Sequence, residues 1–214
     1  MRRLIVSLNI TLDGFIAGPN CELDWHFQYW ESDMADTLAA ELYKADCILF
    51  GRKTYNGMMQ HWKQMMKEQS LPKPDLAFFD TVDSCKKIVC SGTLQEAQWN
   101  NSKILNGPVE DGVRKLKKRS GKNIIVYGSG ELVGSLIKWN LVDELHLWLH
   151  PVLLAHGKPL FPPVNCIKNI QLRATKTFGT GVILLHYDLS DMPVSMLGNG
   201  CSVSPTNQPL RKEL

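Results

Sequence analysis

The feature that most constrains the fold lies past the middle of the chain, where a strand, a glycine-rich turn and a helix follow one another directly. Residues 123–127 read Asn-Ile-Ile-Val-Tyr, and such a run of β-branched and aromatic residues is typical of a buried strand. Gly128-Ser129-Gly130 forms the turn, and residues 132–137 carry apolar side chains at helical spacing. A strand that passes directly into a helix in this way indicates an α/β fold.

The other elements predicted along the chain agree with that fold class. Residues 4–8 form a short β-branched run, and residues 33–44 show helical spacing with Asp33 available as the helix cap. Residues 47–50 are continuously apolar and end at Gly51, as expected for a strand buried on both faces. Similar patterns predict a helix within 55–67 followed by a break at Pro72 and Pro74, strands over 87–90 and 103–105, a surface helix between Pro108 and Gly121, a strand over 145–150, and an antiparallel hairpin of 170–178 with 182–189. We therefore expect a mostly parallel central sheet with antiparallel C-terminal edge strands and flanking helices.

Length and composition narrow the class of protein. The chain has 214 residues, of which 44% are hydrophobic and 21% charged, as in an ordinary globular protein. The net charge of +3 is too small and too dispersed for nucleic acid to be the main partner, and the basic run 115–122 is predicted to be a solvated helix face. Asn9 and Asp13 interrupt the N-terminal apolar stretch, so neither a signal peptide nor a membrane segment is expected.

Cysteine spacing and local composition give the expected compartment and the domain limits. Six cysteines without a close CxxC pair indicate reduced thiols in a cytoplasmic protein. After residue 190 the composition shifts toward proline, glycine, serine and asparagine. We therefore expect one domain over 1–190 and a tail over 191–214 that is disordered or extended.

The strand over 145–150 alternates leucine with His146, Trp148 and His150, so these three side chains share one face. Two histidines could contribute to a zinc site, but no third ligand is evident, and no metal is expected. The face is predicted to pack within the protein or against a second subunit, and a homodimer is expected.

Three predicted strands end in residues that suit phosphate groups. Gly51-Arg52-Lys53-Thr54, Ser91-Gly92 and Gly128-Ser129-Gly130 each follow one of these strands. Ligands of open α/β sheets bind at the carboxyl ends of strands, arginine can hold phosphate oxygens with two donors, and a helix N-terminus attracts anions. Together they predict a nucleotide site. The glycine turn departs from the dinucleotide-binding fingerprint, because Val133 stands where a third glycine would be, and taken alone it also fits a tight turn without a ligand.

Four segments carry a resemblance to a known family by their order and spacing. They are Ser-Leu-Asn-Ile-Thr-Leu-Asp-Gly-Phe-Ile-Ala at 7–17, Ile-Leu-Phe-Gly-Arg-Lys-Thr-Tyr at 48–55, Ile-Val-Cys-Ser at 88–91, and the stretch 124–161, which contains Val-Tyr-Gly-Ser-Gly-Glu-Leu at 126–132, Leu-Val-Asp-Glu-Leu at 141–145 and Pro-Val-Leu-Leu at 151–154. Through them the chain resembles the dihydrofolate-reductase-like superfamily from about residue 3 to residue 189. It is most similar to the C-terminal reductase domain of the riboflavin-biosynthesis deaminase/reductase and its stand-alone relatives.

The resemblance implies that NADPH binds across the sheet. Residues 51–54 and Ser91 would hold the adenosine 2′-phosphate and a neighbouring phosphate, residues 128–132 would hold the pyrophosphate, and residues 16–17 would border the nicotinamide. The cofactor-binding residues expected on this basis are Ile16, Ala17, Gly51, Arg52, Lys53, Thr54, Ser91, Gly92, Gly128, Ser129, Gly130, Glu131 and Leu132. The family often has two adjacent glycines joined by a cis peptide at the pyrophosphate turn, and we expect the Gly128–Ser129 bond to be cis.

The resemblance also points to residues around the substrate. Riboflavin-pathway reductases tend to carry lysine just after the Asp-Gly of the first motif, whereas this chain has Phe15, which suits a flat and uncharged ring better than a phosphorylated sugar. The expected substrate-binding residues are Asn9, Asp13, Phe15 and Trp25, with a turn role as the alternative for Asp13. The candidate proton donors are Asp33 and Asp36 on the first helix, with Asp24 as a further candidate, although carboxylates at a helix start also serve as caps.

The expected function is an NADPH-dependent reductase that transfers hydride to a C=N or C=O group of a small heterocyclic or carbonyl substrate. The nearest named activity is that of 5-amino-6-(5-phosphoribosylamino)uracil reductase of riboflavin biosynthesis. A dihydrofolate reductase and an NADPH-binding protein without catalysis are the alternatives.

Overall fold

The computed structural model describes residues 1–68, 73–161 and 169–189. The strands in these ranges are β1 Leu4–Thr11, β2 Phe15–Ala17, β3 Ala45–Gly51, β4 Lys86–Cys90, β5 Ser102–Ile104, β6 Asn123–Val126, β7 Glu144–His150, β8 Lys158–Pro159, β9 Gln171–Thr177 and β10 Ile183–Asp188. The helices are α1 Ser32–Tyr43, α2 Arg52–Glu68, α3 Lys73–Ser84, α4 Val109–Lys118 and α5 Gly130–Lys138, with a 3-10 helix over Asp24–Tyr29. The tail expected over 191–214 lies outside the described residues.

Eight strands form one mixed sheet in the order β5-β4-β3-β6-β1-β7-β10-β9. The neighbours from β5 to β7 pair in parallel, and β10 pairs antiparallel with both β7 and β9. The strands β2 and β8 form a separate antiparallel ribbon. The predicted fold class is therefore confirmed, including the antiparallel C-terminal edge.

The central strands are apolar on both faces because helices cover both sides of the sheet. Along β3, Cys47 and Leu49 pack in the layer that contains residues of α4 and α5, whereas Ile48 and Phe50 pack in the layer that contains residues of α2 and α3. This alternation is the expected period of two for a strand between two helical layers. It explains why residues 47–50 carry no polar side chain.

One prediction about the helices is wrong. Asp33 does not cap α1: Glu31 occupies the cap position, without a side-chain cap hydrogen bond, and Asp33 lies in the first turn. The predicted break after 55–67 agrees with the end of α2 at Glu68, and Pro72 lies outside the described residues. The sequence did not predict the next helix, α3, which begins at Lys73 and holds Pro74 in its first turn, where the missing N–H costs nothing.

The basic run 115–122 also contains one exception to the predicted solvated face. Lys117 is buried, and its ammonium group donates hydrogen bonds to the Leu141 carbonyl at 2.7 Å and to the Asp143 carboxylate at 2.5 Å. Asp143 in turn accepts a hydrogen bond from the Leu4 amide at 2.7 Å. The buried lysine therefore ties α4 to the start of the central strands.

The face shared by His146, Trp148 and His150 packs within the chain. All three residues are buried, and Trp148 lies in an apolar cluster with Met34 and Phe178. The prediction of internal packing is thus confirmed, and this face is not exposed for a second subunit. The homodimer stays a prediction, which static light scattering of the full chain checks.

Within the described residues, no helix has both the length and the apolar character needed to cross a bilayer.

Candidate functional site

A cleft of about 290 Å³ opens at the carboxyl ends of β3, β4 and β6. Parallel neighbours end at the same edge of a sheet, so three separate chain segments meet there. The residues that line the cleft are Gly51, Arg52, Lys53, Cys90, Ser91, Gly92, Thr93, Val109, Ser129, Glu131, Leu132, Ser135 and Trp139. The three strand ends singled out in the sequence therefore form one site.

Two glycines allow the backbone segments of the cleft to approach closely. The Gly51 amide donates to the Gly128 carbonyl at 2.9 Å, and a Cβ atom on Gly51 would overlap the Ser129 hydroxyl. A Cβ atom on Gly130 would stand 2.5 Å from Ile16 Cδ1, so a larger residue there would require the Ile16 side chain to move. Gly128 has φ +121° and is joined to Ser129 by a cis peptide bond, as expected.

The cleft is electropositive at the end of β3. Arg52 and Lys53 open α2 directly after that strand, and within the described residues no acidic side chain pairs with Arg52. Lys53 Nζ lies 3.9 Å from a carboxylate oxygen of Glu131, and both side chains are largely exposed. The N-termini of α2 and α5 add backbone amide groups without intrahelical acceptors. The combination suits an anionic ligand with more than one phosphate.

The turn after β4 presents hydroxyl groups to the cleft. Ser91 Oγ accepts hydrogen bonds from the amides of Thr93 at 3.1 Å and Leu94 at 2.9 Å. It also lies 3.5 Å from Thr93 Oγ1, and either of these two hydroxyl groups can be the donor. Burial raises the pKa of the neighbouring Cys90 thiol to about 12, which keeps this thiol neutral at the wall of the cleft. The site therefore offers neutral donors beside the two cations.

Most of the predicted cofactor residues lie in or directly beside the cleft. Eight line it: Gly51, Arg52, Lys53, Ser91, Gly92, Ser129, Glu131 and Leu132. Thr54 and Gly128 adjoin it, because Thr54 Oγ1 is 3.0 Å from the position of a Cβ on Gly128, and Ile16 contacts the same turn at Gly130. Ala17 is buried and pairs with Lys158 in the β2–β8 ribbon.

Sequence reasoning missed Cys90, Thr93, Val109, Ser135 and Trp139 among the lining residues. Cys90 and Thr93 flank the predicted Ser91-Gly92 pair, and Ser135 stands one helical turn after Glu131, so proximity in sequence could have found these three. Val109 comes from α4, which is distant in sequence from every predicted segment. Only the tertiary structure brings it there.

Sequence and structure comparisons agree with this geometry. The profile of the RibD C-terminal domain matches residues 2–184. The chain belongs to the RibD C-terminal domain family. It is 39% identical over 186 residues to the uncharacterized protein YyaP of Bacillus subtilis, an alignment that covers 87% of this chain and 94% of the relative.

Two solved structures, of a riboflavin-biosynthesis protein and of a reductase, have a fold similar to that of this chain. A Shewanella sp. PV-4 protein named for riboflavin biosynthesis is similar with a TM-score of 0.66 and 22% identity, over 87% of this chain and 98% of its own. A dihydrofolate reductase from Enterococcus faecalis, solved with NADP(H), is similar with a TM-score of 0.56 and 17% identity, over 88% of this chain and 97% of its own. The dihydrofolate-reductase-like fold of this RibD C-terminal domain is thereby shown.

Aromatic side chains gather at the carboxyl ends of β1 and β7 in this RibD C-terminal domain. Trp25, on the 3-10 helix, contacts the ring of His150 edge-on, with 5.3 Å between the ring centroids. Tyr29 contacts the same ring, with 5.7 Å between the centroids. His150 Nε2 lies 3.0 Å from Asn9 Oδ1. The predicted substrate residues Asn9 and Trp25 are thus brought together around a buried histidine that the prediction had treated only as packing.

The histidines of this aromatic group are neutral because they are buried. Burial lowers the pKa of His150 to about 4 and also lowers the pKa of His26. Nδ1 of each imidazole and Nε1 of Trp25 are buried without a hydrogen-bond partner among the described residues. Three polar atoms therefore lie buried in this aromatic group without a hydrogen bond from the described residues.

Asp13 has a structural role in this RibD C-terminal domain. Its carboxylate accepts hydrogen bonds from Thr11 Oγ1 at 2.6 Å and from the amides of Leu154 at 3.0 Å and Ala155 at 2.8 Å. The Thr11 hydroxyl, followed by these amides, lowers the pKa of the carboxyl. The turn alternative for Asp13 accounts for all of these contacts.

Phe15 pairs with Pro159 at the start of the β2–β8 ribbon.

The two predicted catalytic acids do not face the cleft. Asp33 is 57% exposed and accepts a hydrogen bond from Lys176 Nζ at 2.7 Å on β9, the edge strand farthest from β4 and β5. Asp36 is exposed on the same helix, and Asp24 is exposed on the 3-10 helix. Because α1 turns both carboxylates toward solvent and away from the cleft, the structure adds no support for Asp33 or Asp36 as the proton donor, and that role stays a prediction.

Proposed function

We propose that this chain is an NADPH-dependent reductase of a small, flat heterocyclic or carbonyl compound. The observation that carries the proposal is the convergence of Arg52, Lys53 and Ser91 with the α5 N-terminus in one cleft. Each of these groups interacts favourably with phosphate, and they come from three neighbouring strand ends. The solved structure of the Enterococcus faecalis dihydrofolate reductase with NADP(H) and the shared fold support the choice of cofactor.

The adenosine phosphate would interact with the end of β3. Arg52 can donate two parallel hydrogen bonds to a phosphate, and Ser91 can donate one through its hydroxyl proton. The extra phosphate of NADPH would thus meet a cation, which is the physical reason for a preference over NADH. Lys53 adds a second positive charge at 57% exposure.

The pyrophosphate would interact with the start of α5. Gly130 begins that helix, and Ser129 before it makes no side-chain cap hydrogen bond, so amide groups of the first turn stay available. Glu131 opposes such binding by its charge, but its side chain is 85% exposed and its carboxylate interacts with Lys53. The glycines keep the backbone close enough for amide contact with an anion.

NADPH, when bound, supplies a hydride to an electron-poor carbon. The chain's own residues would position the two reactants. Ile16, which packs against Gly130, would border the nicotinamide end of the cofactor site. The aromatic group around Trp25 and His150 would exclude water from the substrate. Phe15 and the aromatic rings suit a flat ring, and the buried Nδ1 atoms of His26 and His150 offer hydrogen bonds to its polar groups. A phosphorylated substrate is disfavoured at these apolar rings.

The test compares binding of NADPH and NADH by thermal denaturation of the full chain. We expect NADPH to raise the melting temperature more than NADH does, and Arg52→Ala to weaken NADPH binding by about 10-fold while leaving NADH binding nearly unchanged. Lys63→Ala, an exposed change on the same helix, is the matched control. Equal loss for both cofactors, or no stabilisation by either, would contradict the proposed site.

The substrate is tested separately by the loss of NADPH absorbance with dihydrofolate, the phosphorylated aminopyrimidine and a panel of unphosphorylated carbonyl and C=N compounds. We expect turnover with an unphosphorylated flat compound. Turnover confined to the phosphorylated aminopyrimidine would contradict the substrate class but not the cofactor site. Stabilisation by NADPH without turnover of any compound would favour a binding protein without catalysis.

A further inference from the structure

A second group of reactive side chains lies beyond the cleft, where α1 covers β7 and β10. It consists of Glu41 on α1, His146 on β7 and His186 on β10, and we call it the Glu41 cluster. His146 and His186 are direct cross-strand partners in the antiparallel pair, so the sheet fixes their relative position. The sequence showed no third ligand for His146 beside His150, and the structure supplies two from other elements.

The potential ligand atoms of the cluster converge. One nitrogen from each imidazole and a carboxylate oxygen of Glu41 all lie within 4.8 Å of one another. Glu41 Oε1 is 2.6 Å from His146 Nδ1 and 3.6 Å from His186 Nε2. Ligand atoms around a tetrahedral zinc ion stand about 3.3 Å apart, so the observed distances lie on either side of that value.

Each of the two more deeply buried members is oriented by an outer hydrogen bond. His146 Nε2 lies 2.9 Å from Glu144 Oε2, which leaves its Nδ1 pointing at Glu41. The Ser7 hydroxyl donates to the other Glu41 oxygen at 3.0 Å, and Trp148 Nε1 donates to Ser7 Oγ at 3.0 Å. Metal-binding residues are commonly oriented in this manner. A carboxylate binds the imidazole nitrogen that does not face the metal, and a hydrogen-bond donor binds the carboxylate of the acidic ligand.

His186 has a polar atom that the protein leaves without a hydrogen bond. Its Nε2 is buried, and no described residue forms a hydrogen bond with it. The His186 ring stacks on that of His146, with 3.9 Å between the ring centroids and an angle of 4° between the planes. A metal ion lies in the plane of each imidazole that binds it, so the His186 ring has to rotate out of this stack for both nitrogens to bind one ion. The His186 side chain is 33% exposed, against 6% for His146 and 9% for Glu41, so solvent reaches the cluster through His186.

The charges around the cluster favour a cation. Two carboxylates, Glu41 and Glu144, flank His146, and Arg3 pairs with Glu144 at 2.8 Å from the outer side. Against the opposing effect of burial, hydrogen bonds to Glu144 and Glu41 raise the pKa of His146 to about 9, so a dication would take the place of the proton between His146 and Glu41 and would also give His186 Nε2 a partner. Imidazole nitrogen and carboxylate oxygen are ligands that zinc and similar divalent ions accept.

We propose that the Glu41 cluster binds one divalent transition-metal ion of the zinc type through His146 Nδ1, His186 Nε2 and Glu41. Water completes the coordination from the exposed side of His186. The ion links α1 to β7 and β10 and thereby stabilises the antiparallel edge of the sheet. The site is separate from the cofactor cleft at β3, β4 and β6.

The test uses the full chain after treatment with a chelator. We expect one equivalent of Zn²⁺ to bind by titration calorimetry and to raise the melting temperature, and Co²⁺ to give a visible spectrum of nitrogen and oxygen ligation without a thiolate charge-transfer band. The absence of that band separates the Glu41 cluster from binding at an exposed thiol such as Cys21.

Variants assign the site to these residues. His186→Ala and Glu41→Gln are expected to weaken Zn²⁺ binding by at least about 10-fold, whereas His156→Ala, at an exposed histidine, leaves the affinity unchanged. His186→Ala changes a partly exposed residue, and circular dichroism checks that the variant is folded. Absence of binding by the unmodified chain, or undiminished binding by folded His186→Ala, would overturn the proposal.

Discussion

His150 Nε2 on β7 lies 3.0 Å from Asn9 Oδ1 on the neighbouring parallel strand β1, and the imidazole is fully buried. Burial lowers the pKa of His150 from 6.5 to about 4, with a smaller contribution from His26. Between these two pH values the unfolded chain binds more protons than the folded chain does, so the free energy of unfolding rises with pH. The contribution of His150 to the free energy of unfolding is fully present above pH 6.5 and is lost progressively as the pH falls toward 4.

We therefore predict acid sensitivity that originates at His150. The free energy of unfolding should fall between pH 6.5 and pH 4, by up to about 3 kcal/mol from this residue. His150→Gln keeps a donor for Asn9 but does not titrate, so its stability should depend less on pH in this window. Urea unfolding at several pH values measures the slope. His156→Gln serves as the control, and an unchanged slope for His150→Gln would refute the assignment.

A second prediction concerns Lys87, whose buried ammonium group donates to the carbonyls of Asp83 at 2.8 Å, Cys85 at 3.0 Å and Asn100 at 2.9 Å. Lys87→Met keeps the apolar stem but leaves these carbonyls without that donor. We expect a loss of about 3 kcal/mol in the free energy of unfolding. Lys86→Met, at the exposed neighbouring position, should change stability by less than about 0.5 kcal/mol. Similar losses in the two variants would show that the buried hydrogen bonds are unimportant.

A third prediction compares two glycines near the cleft. Gly51→Ala places a methyl group against Ser129, so we expect lower stability and weaker NADPH binding together. Gly57→Ala, in the interior of α2 with no atom within 4 Å of the new methyl group, should stabilise the chain by about 0.5–1 kcal/mol and leave NADPH binding unchanged. Thermal denaturation with and without NADPH measures both effects. Tolerance of Gly51→Ala would mean that Ser129 moves at little cost.

A fourth prediction concerns Glu131, which lies at the start of α5 near Lys53. Glu131→Gln removes a negative charge from the proposed pyrophosphate region, so NADPH affinity should increase by about 2- to 5-fold, as expected for exposed charges. Without NADPH, the same change should slightly lower stability because a carboxylate favours the helix N-terminus. Asp36→Asn, on the exposed side of α1, is the control for affinity and should leave NADPH binding unchanged. Lower NADPH affinity in Glu131→Gln would mean that Glu131 assists binding.

The comparison of sequence and structure separates local from long-range information. The strand over 123–126, the turn at Gly128-Ser129-Gly130 and the helix that begins at Gly130 follow from the period of the apolar residues and from the turn residues alone. Arg52 and Ser91 were predicted together because parallel strands end at a common edge. That rule needs only the strand type and not the atomic contacts.

Side-chain orientation and contacts between distant segments required the tertiary structure. The sequence allowed Asp33 and Asp36 to be acids near the substrate, but the rotation of α1 against the sheet directs them to solvent and Asp33 to Lys176. It gave no reason to bring Glu41 and His186 to His146, or Val109 to the cleft. The sequence by itself determined most of the elements, the fold class and the strand ends that form the cleft, because these depend on neighbours within a few residues. Only the tertiary structure decided which side chains face one another, because strand pairing and helix packing join residues that are more than a hundred positions apart, such as Glu41 and His146.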